Sequence, residues 1–310
     1  MSKAEGGPGR TREVSFAGGA VRLAGVLELP GPGTPVRAGV VLVGGSGPTD
    51  RDNDTFFPPL RRHLADAGIA VLSYDKRGVG ASSGDWRDAT LTDLAADASA
   101  ALDFLRSRPE VRADTVGLLG HSEGGWVVLR AASGRDDLPW VVTNSCPGVS
   151  PAVQERHALK QRLKENDTGS DATLALYDRL VQAGRDGADF ATAARLVEDA
   201  GRPPGLGPFW DGVDGRVWAF LARKQDHDPA ADLRGLRCPH LAFFGGGDRL
   251  VSVADSLRVL GATACDPGRP ERATLTVEVV PGADHRLRVP GSVCMAPGCL
   301  DRLTRWIHGA

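Results

Sequence analysis

Nowhere does this chain carry an apolar run approaching the ~18 residues that a membrane-spanning helix needs, so membrane insertion is not expected. Its opening stretch, Met1 to Arg12, lacks the apolar core of a secretory signal. Being Gly-rich and polar, residues 1–12 are expected to form a disordered tail. Excess charge is missing too. With 37 Lys and Arg against 39 Asp and Glu, the formal net charge is −2, and nothing favours nucleic acid or an anionic surface as partner. Cysteine is sparse: Cys146, Cys238, Cys265, Cys294 and Cys299 are odd in number, scattered, and without a C-x-x-C. That usage argues against a disulfide framework and fits a reducing, cytoplasmic compartment. Cys294 and Cys299 lie close enough to suggest a disulfide or a metal site, but no His stands at ligand spacing, so no metal is expected. The phosphate-binding patterns G-x-x-x-x-G-K-[ST] and G-x-G-x-x-G are absent, and no cofactor is implied. No segment repeats another.

What is present is an ordinary globular composition, 41% hydrophobic and 25% charged over 310 residues, enough for one large core or two modest ones. Val14 to Phe16 and Val21 to Leu29 flank Gly18-Gly19 and predict an antiparallel hairpin. Val36 to Val43 is a continuous Val-rich run, as in a strand buried on both faces. A helix over Phe56 to Ala67 and a strand over Ile69 to Tyr74 follow. Leu91, Leu94, Ala95, Ala98, Leu102 and Leu105 share one helical stripe behind an N-cap at Thr90. Strands at Val116 to Leu119 and Trp140 to Thr143 flank a buried helix starting near Trp126.

This alternation predicts an α/β fold with a mostly parallel central sheet and helices on both faces. It stops near Ser150 and resumes at His240 to Phe244, with a helix near Val253 to Leu260, a strand from Ala273 to Val280 and a last helix from Leu300 to His308. Residues 151–237 read as helices broken by Gly and Pro. The expected organisation is therefore a core of residues 13–150 and 238–310 with a helical lid at 151–237. The run from Val289 to Gly298 receives no assignment.

Gly120-His121-Ser122-Glu123-Gly124-Gly125 stands between a predicted strand and a predicted helix. A G-x-S-x-G in that setting fits a nucleophile elbow, a sharp turn that lifts one serine hydroxyl clear of the sheet. A second match, Gly80-Ala81-Ser82-Ser83-Gly84, has no apolar helix behind it and reads as a polar loop. A serine hydroxyl needs a positioned base, and the base needs an orienting acid. Asp248 lies just past a strand in a Gly-rich turn, where ligand sites of α/β sheets collect; the same position suits a helix cap. His285 also follows a strand. His63 and His157 lie in surface-like helices, His227 in the lid, His240 at a strand start and His308 at the terminus. His121 occupies an elbow position expected to point away from the nucleophile, and Asp284 is too close in sequence to His285 to orient it. Oxyanion donors are expected from the backbone N–H groups of Glu123 and of Ser46 in Gly44-Gly45-Ser46-Gly47-Pro48.

With these residues assembled, the chain resembles the α/β-hydrolase superfamily, and most of all its lidded carboxylesterases of the dienelactone-hydrolase and serine-aminopeptidase-like branch. The likeness rests on Gly45 to Asp52, Tyr74 to Ser82, Gly120 to Gly125 and Pro281 to His285, and it spans the chain from about Val14 onward except the lid. Gly44 departs from it, standing where many relatives carry histidine. The resemblance implies a serine hydrolase cleaving carboxylic esters through an acyl-enzyme, with Ser122 as nucleophile, His285 as base and then acid, and Asp248 as orienting acid. Asp50, Arg51, Asp75 and Arg77 are expected to form ion pairs that brace the oxyanion loop. Phe209, Trp210 and Trp218 of the lid either contact the acyl group of a small ester substrate or pack the lid itself. A thioesterase, an amide hydrolase, or an acyltransferase or cyclase would use the same triad. A non-catalytic ligand-binding protein of this fold is the alternative of another class.

Overall fold

Alternating side chains start the sheet. In the computed structural model, which describes residues 10–166 and 171–310, β1 (Thr11–Gly18) and β2 (Val21–Glu28) pair antiparallel from Thr11↔Glu28 to Gly18↔Val21. Gly19 at φ +64° makes the turn between them, a conformation that costs glycine little. The ladder reaches further than the apolar alternation. Thr11 and Arg12, assigned by sequence to the tail, are paired strand residues, and Arg12 reaches Glu110 at 2.7 Å. Residues 1–9 of the expected tail lie outside the described residues.

β3 (Ala38–Val43), β4 (Ile69–Tyr74), β5 (Val116–His121), β6 (Val141–Asn144) and β7 (His240–Gly245) are buried at every position. β8 (Leu275–Val280) is an edge strand with more exposed positions. The spatial order is β1-β2-β4-β3-β5-β6-β7-β8. β2 runs antiparallel to both its neighbours, and every pairing from β4 through β8 is parallel. Because the strands after β2 run one way, the loops at their C-terminal ends gather on one rim.

α1 (Phe57–Asp66) follows β3, α2 (Leu91–Arg106) follows β4, and α3 (Glu123–Ala132) follows β5. Thr90 and Asp93 close a capping box on α2, with the Asp93 N–H donating to Thr90 Oγ1 at 3.1 Å and the Thr90 N–H to Asp93 Oδ2 at 2.8 Å. Between β6 and β7 the chain forms α4 (Pro151–Glu165), α5 (Asp171–Arg185), α6 (Phe190–Asp199), α7 (Gly207–Trp210), α8 (Gly215–Lys224) and α9 (Pro229–Arg234), and no strand among the described residues. α10 (Val253–Ala264) and α11 (Cys299–Gly309) complete the chain. Two apolar layers result. Leu94, Leu102, Val128, Leu118, Phe244 and Leu260 pack α2, α3 and α10 on one face, while Phe57, Leu60, Trp140 and Ile307 pack α1 and α11 on the other. Each such side chain contributes about 1.5–3 kcal/mol by leaving water.

The inserted helices have a core of their own, built on Leu176, Leu180, Val197, Trp210 and Trp218. α9 does not belong to it: Leu233 and Leu236, inside the expected lid, join the main core where α9 packs on α3 and α10. α8 docks on the loop after β4 through Arg216–Asp85 at 2.9 Å, Arg87–Asp214 at 3.3 Å and a Trp86–Phe220 edge contact at 5.0 Å. Among the described residues no helix is long and apolar enough to cross a membrane.

His240 is fully buried at the start of β7, with Nε2 at 2.9 Å from Thr143 Oγ1. Burial, helped by the charge of Arg269, pushes its pKa down to about 3. Between the unfolded value of about 6.5 and that native value, the unfolded chain holds a proton that the native chain does not, so stability is lost as pH falls. Burial drives His227 down as well, to about 4, with Arg130 adding to it. Thermal unfolding from pH 7 to pH 4.5 is expected to show falling stability, each such histidine contributing about 1.4 kcal/mol per pH unit once below its unfolded pKa. His240→Gln should flatten that slope by its share. An unchanged slope in this variant would refute the assignment.

Candidate active site

Only Ser122 separates β5 from α3, and the turn it makes is strained. Ser122 sits at φ 55°, ψ −121°, a left-handed-side conformation that costs a non-glycine residue about 1–3 kcal/mol. Its N–H donates to Asn144 O at 2.9 Å, and its carbonyl accepts from the Gly125 N–H at 2.8 Å. The flanking glycines make the turn possible. A Cβ on Gly120 would strike the Gly124 carbonyl, and one on Gly124 would strike the carbonyl oxygens of Val43 and Gly44. α3 therefore lies directly against the end of β3.

Asp248 and His285 reach the same rim from β7 and β8. The Asp248 side chain is buried, and its Oδ2 lies 2.7 Å from His285 Nδ1. An ionised carboxylate only accepts, so Nδ1 carries the proton and Nε2 is left as the basic nitrogen. Asp248 Oδ1 accepts from the N–H groups of Leu250 and Val251 at 2.9 and 3.1 Å, which fixes the carboxylate plane. It is not the cap of α10, a role taken by Ser252. Asp284 is turned to its own loop, accepting from the Arg286 and Arg288 N–H groups at 2.8 Å each.

Ser122 and His285 line one cleft of about 770 Å³ together with Gly45, Ser46, His121 and Asp54. Among the described residues the Ser122 hydroxyl makes no hydrogen bond to the His285 ring. In enzymes, hydrogen bonds between a nucleophile and its base are often long in the free state and tighten when substrate is bound. The Ser46 N–H has no acceptor among the described residues, and the Glu123 N–H is the first donor of α3, one of the unpaired groups of a helix start. Among the described residues no group of three or more His, Cys, Asp or Glu side chains is clustered to hold a metal ion.

The expected bracing pairs are partly rearranged. Arg51 grips Asp75 through Nε at 3.0 Å and Nη2 at 2.7 Å, and it also bonds Glu13. Arg77 turns instead to Asp97 of α2, at 2.7 Å. Asp50 makes no ion pair among the described residues; it accepts from the Asp52 N–H at 3.0 Å and lines the cleft. Ser82 of the second G-x-S-x-G is buried in its loop, donating to Asp75 O at 2.7 Å.

Phe209, Trp210 and Trp218 do not line the cleft with Ser122. They pack within the insert, and Trp218 Nε1 donates to Ala188 O at 2.7 Å. Sequence reading also misplaced His121. Its ring lies 4.9 Å from that of His285 and 4.7 Å from that of Phe56, tilted against both, at the cleft wall. Burial, reinforced by His285 and Arg286, drives its pKa well below the ordinary histidine value, so it stays neutral there. A buried ionic cluster of Lys76, Glu123 and Lys224 was missed as well. One signal for it existed: Lys224 falls four residues after Phe220, on the buried stripe of α8.

The model of the alpha/beta hydrolase family matches residues 40–291. Uncharacterized protein PA2218 of Pseudomonas aeruginosa is 28% identical over 186 residues, 54% of this chain and 50% of that protein. Mouse (Mus musculus) mitochondrial palmitoyl-protein thioesterase ABHD10 is 28% identical over 108 residues, 34% of either chain. The chain thus spans half or less of the length of these curated relatives. Among solved structures, ferulic acid-bound Est1E of Butyrivibrio proteoclasticus superposes with a TM-score of 0.58 at 17% identity, covering 96% of each chain. That likeness is one of fold.

The elbow geometry makes one substitution decisive for stability. Gly124→Ala sets a methyl against two backbone carbonyls that cannot swing aside, and overpacking of this kind costs about 1–3 kcal/mol or more. A fall in Tm of several degrees is expected by calorimetry. A Tm within a degree of the parent would contradict the close packing of α3 on β3.

Proposed function

The chain belongs to the alpha/beta hydrolase family, and within it we propose that this protein is a serine hydrolase that cleaves carboxylic esters through an acyl-enzyme. The observation that carries this reading is the 2.7 Å contact of Asp248 with His285 Nδ1, beside a serine held at positive φ in the same cleft. Ser122 attacks the ester carbonyl while His285 Nε2 takes its proton. Asp248 remains ionised, holding the ring in the useful tautomer and stabilising the imidazolium. The oxyanion forms between the N–H groups of Ser46 and Glu123, each worth about 3–4 kcal/mol of barrier if removed. His285 then protonates the leaving alcohol and activates the water that releases the acid.

The cleft, about 770 Å³ in volume, sets Ser46, Thr49, Asp50 and Asn53 beside Pro48, Val79 and Leu250 and so offers an ester both polar and apolar contacts. Phe209, Trp210 and Trp218 lie outside the cleft of Ser122, and this scheme assigns them no contact with the reacting ester. A thioester substrate is the second reading, favoured by the sequence likeness to a palmitoyl-protein thioesterase. The triad serves both bonds, and turnover of p-nitrophenyl esters against acyl-CoA thioesters separates them.

Ser122→Ala and His285→Ala are each expected to lower kcat/KM on a p-nitrophenyl ester by about 10⁵–10⁶-fold. Circular dichroism and Tm should stay close to the parent. Asp248→Asn should lose about 10³–10⁴-fold through the wrong imidazole tautomer. An Asp248→Asn enzyme keeping a tenth of the parent rate would overturn the acid assignment.

A further inference from the structure

Three buried ionic side chains meet behind the cleft. Lys76, just after β4, donates from Nζ to Glu123 Oε1 at 3.0 Å and to Gly45 O at 2.6 Å. Lys224, at the end of α8, donates to Glu123 Oε2 at 2.5 Å, and Ser46 Oγ donates to the same oxygen at 3.3 Å. The side chains are 8%, 0% and 7% exposed for Lys76, Glu123 and Lys224. Burial alone would raise the Glu123 carboxyl, but the attraction of Lys224 and Lys76 outweighs it and holds the pKa at about 2. Burial lowers that of Lys76 against the pull of Glu123. Burying charges this deeply is a poor way to gain stability, since apolar packing of similar volume does as well or better.

The Gly45 carbonyl that Lys76 holds belongs to the same peptide unit as the Ser46 N–H. No peptide bond among the described residues is cis, and in a trans peptide the N–H points opposite to the C=O. Glycine on one side makes this unit easy to flip, and a flip would present a carbonyl oxygen where the oxyanion needs a donor. The Gly45 N–H is held separately, donating to Asn53 Oδ1 at 3.3 Å.

We propose that Lys76 is a positioning residue: by holding the Gly45 carbonyl away from the cleft it aims the Ser46 N–H into it, and the Lys76–Glu123–Lys224 chain couples both oxyanion donors to the inserted helix α8. The inference rests on the serine-hydrolase reading. Glu123 has two jobs in it. Its backbone supplies one donor, and its side chain anchors the lysine that sets the other. The ammonium also polarises the Gly45–Ser46 peptide and strengthens its N–H as a donor.

The test compares Lys76→Met, Lys76→Arg and Lys224→Met in the full chain, with p-nitrophenyl acetate as substrate and phenylboronic acid as transition-state mimic. Lys76→Met should lower kcat by about 10–100-fold, less than loss of a whole donor, with KM changed less than threefold. Its affinity for the boronic acid should fall with kcat. Lys76→Arg, which can still donate to Gly45 O, should recover most of the rate. Lys224→Met keeps the Lys76 contact and should lose less than Lys76→Met. Should Lys76→Met fail to fold, Lys76→Leu, which likewise has no donor for Gly45 O, gives the same comparison with Lys76→Arg. A folded Lys76→Met or Lys76→Leu enzyme with kcat and boronic acid affinity within twofold of the parent overturns the inference. If Ser122→Ala meanwhile abolishes turnover, the serine-hydrolase reading stands. Turnover that survives Ser122→Ala overturns both.

Discussion

The close approach of α3 to the ends of β3 and β5 is the constraint on which the site depends. It exists because Gly120 and Gly124 present no Cβ to the backbone carbonyls facing them. The approach forces Ser122 to positive φ and sets the first N–H of α3 beside the loop after β3. Strain at Ser122 is offset by its bond to Asn144 and by the apolar packing of Trp126, Val127 and Val128 behind it. A bulkier junction would relax the serine and separate the two amides at the same time.

Sheet order supplies the rest. β3 neighbours β5, while β7 and β8 lie on the other side of β6, and all run parallel. The loops carrying Ser46, Ser122, Asp248 and His285 therefore open on one rim although nearly 240 residues separate the first from the last. Ligand sites of α/β sheets gather at this edge for the same topological reason.

The sheet and its helices were largely legible because fully buried parallel strands leave Val- and Leu-rich runs and α2 leaves a clean stripe behind a Thr90 cap. Element ends were less so. Thr11 and Arg12 form strand through backbone pairing and ion pairs that no apolar pattern marks. The fate of Arg77 and Asp50 was hidden too, since a local sequence does not say which of several carboxylates a guanidinium reaches; Arg77 found Asp97 on α2. His121 was misread because an elbow position was judged by its usual direction, whereas Phe56 and His285 enclose its ring. Lys224 lies 101 residues from Glu123 on an inserted helix, and only the folded chain shows them as partners.

The inserted helices contribute differently from the core. Trp210 and Trp218 pack within the insert, Phe220 meets Trp86 of the loop after β4, and contact with the elbow is ionic, through Lys224. The most direct measurement is a crystal structure of the protein after reaction with a p-nitrophenyl phosphonate. The account predicts phosphorus bonded to Ser122 Oγ, with one phosphonyl oxygen about 3 Å from the N–H groups of both Ser46 and Glu123. It also predicts His285 Nε2 within hydrogen-bonding distance of the serine oxygen. Phosphorus on another residue, or a phosphonyl oxygen turned away from both amides, would contradict it.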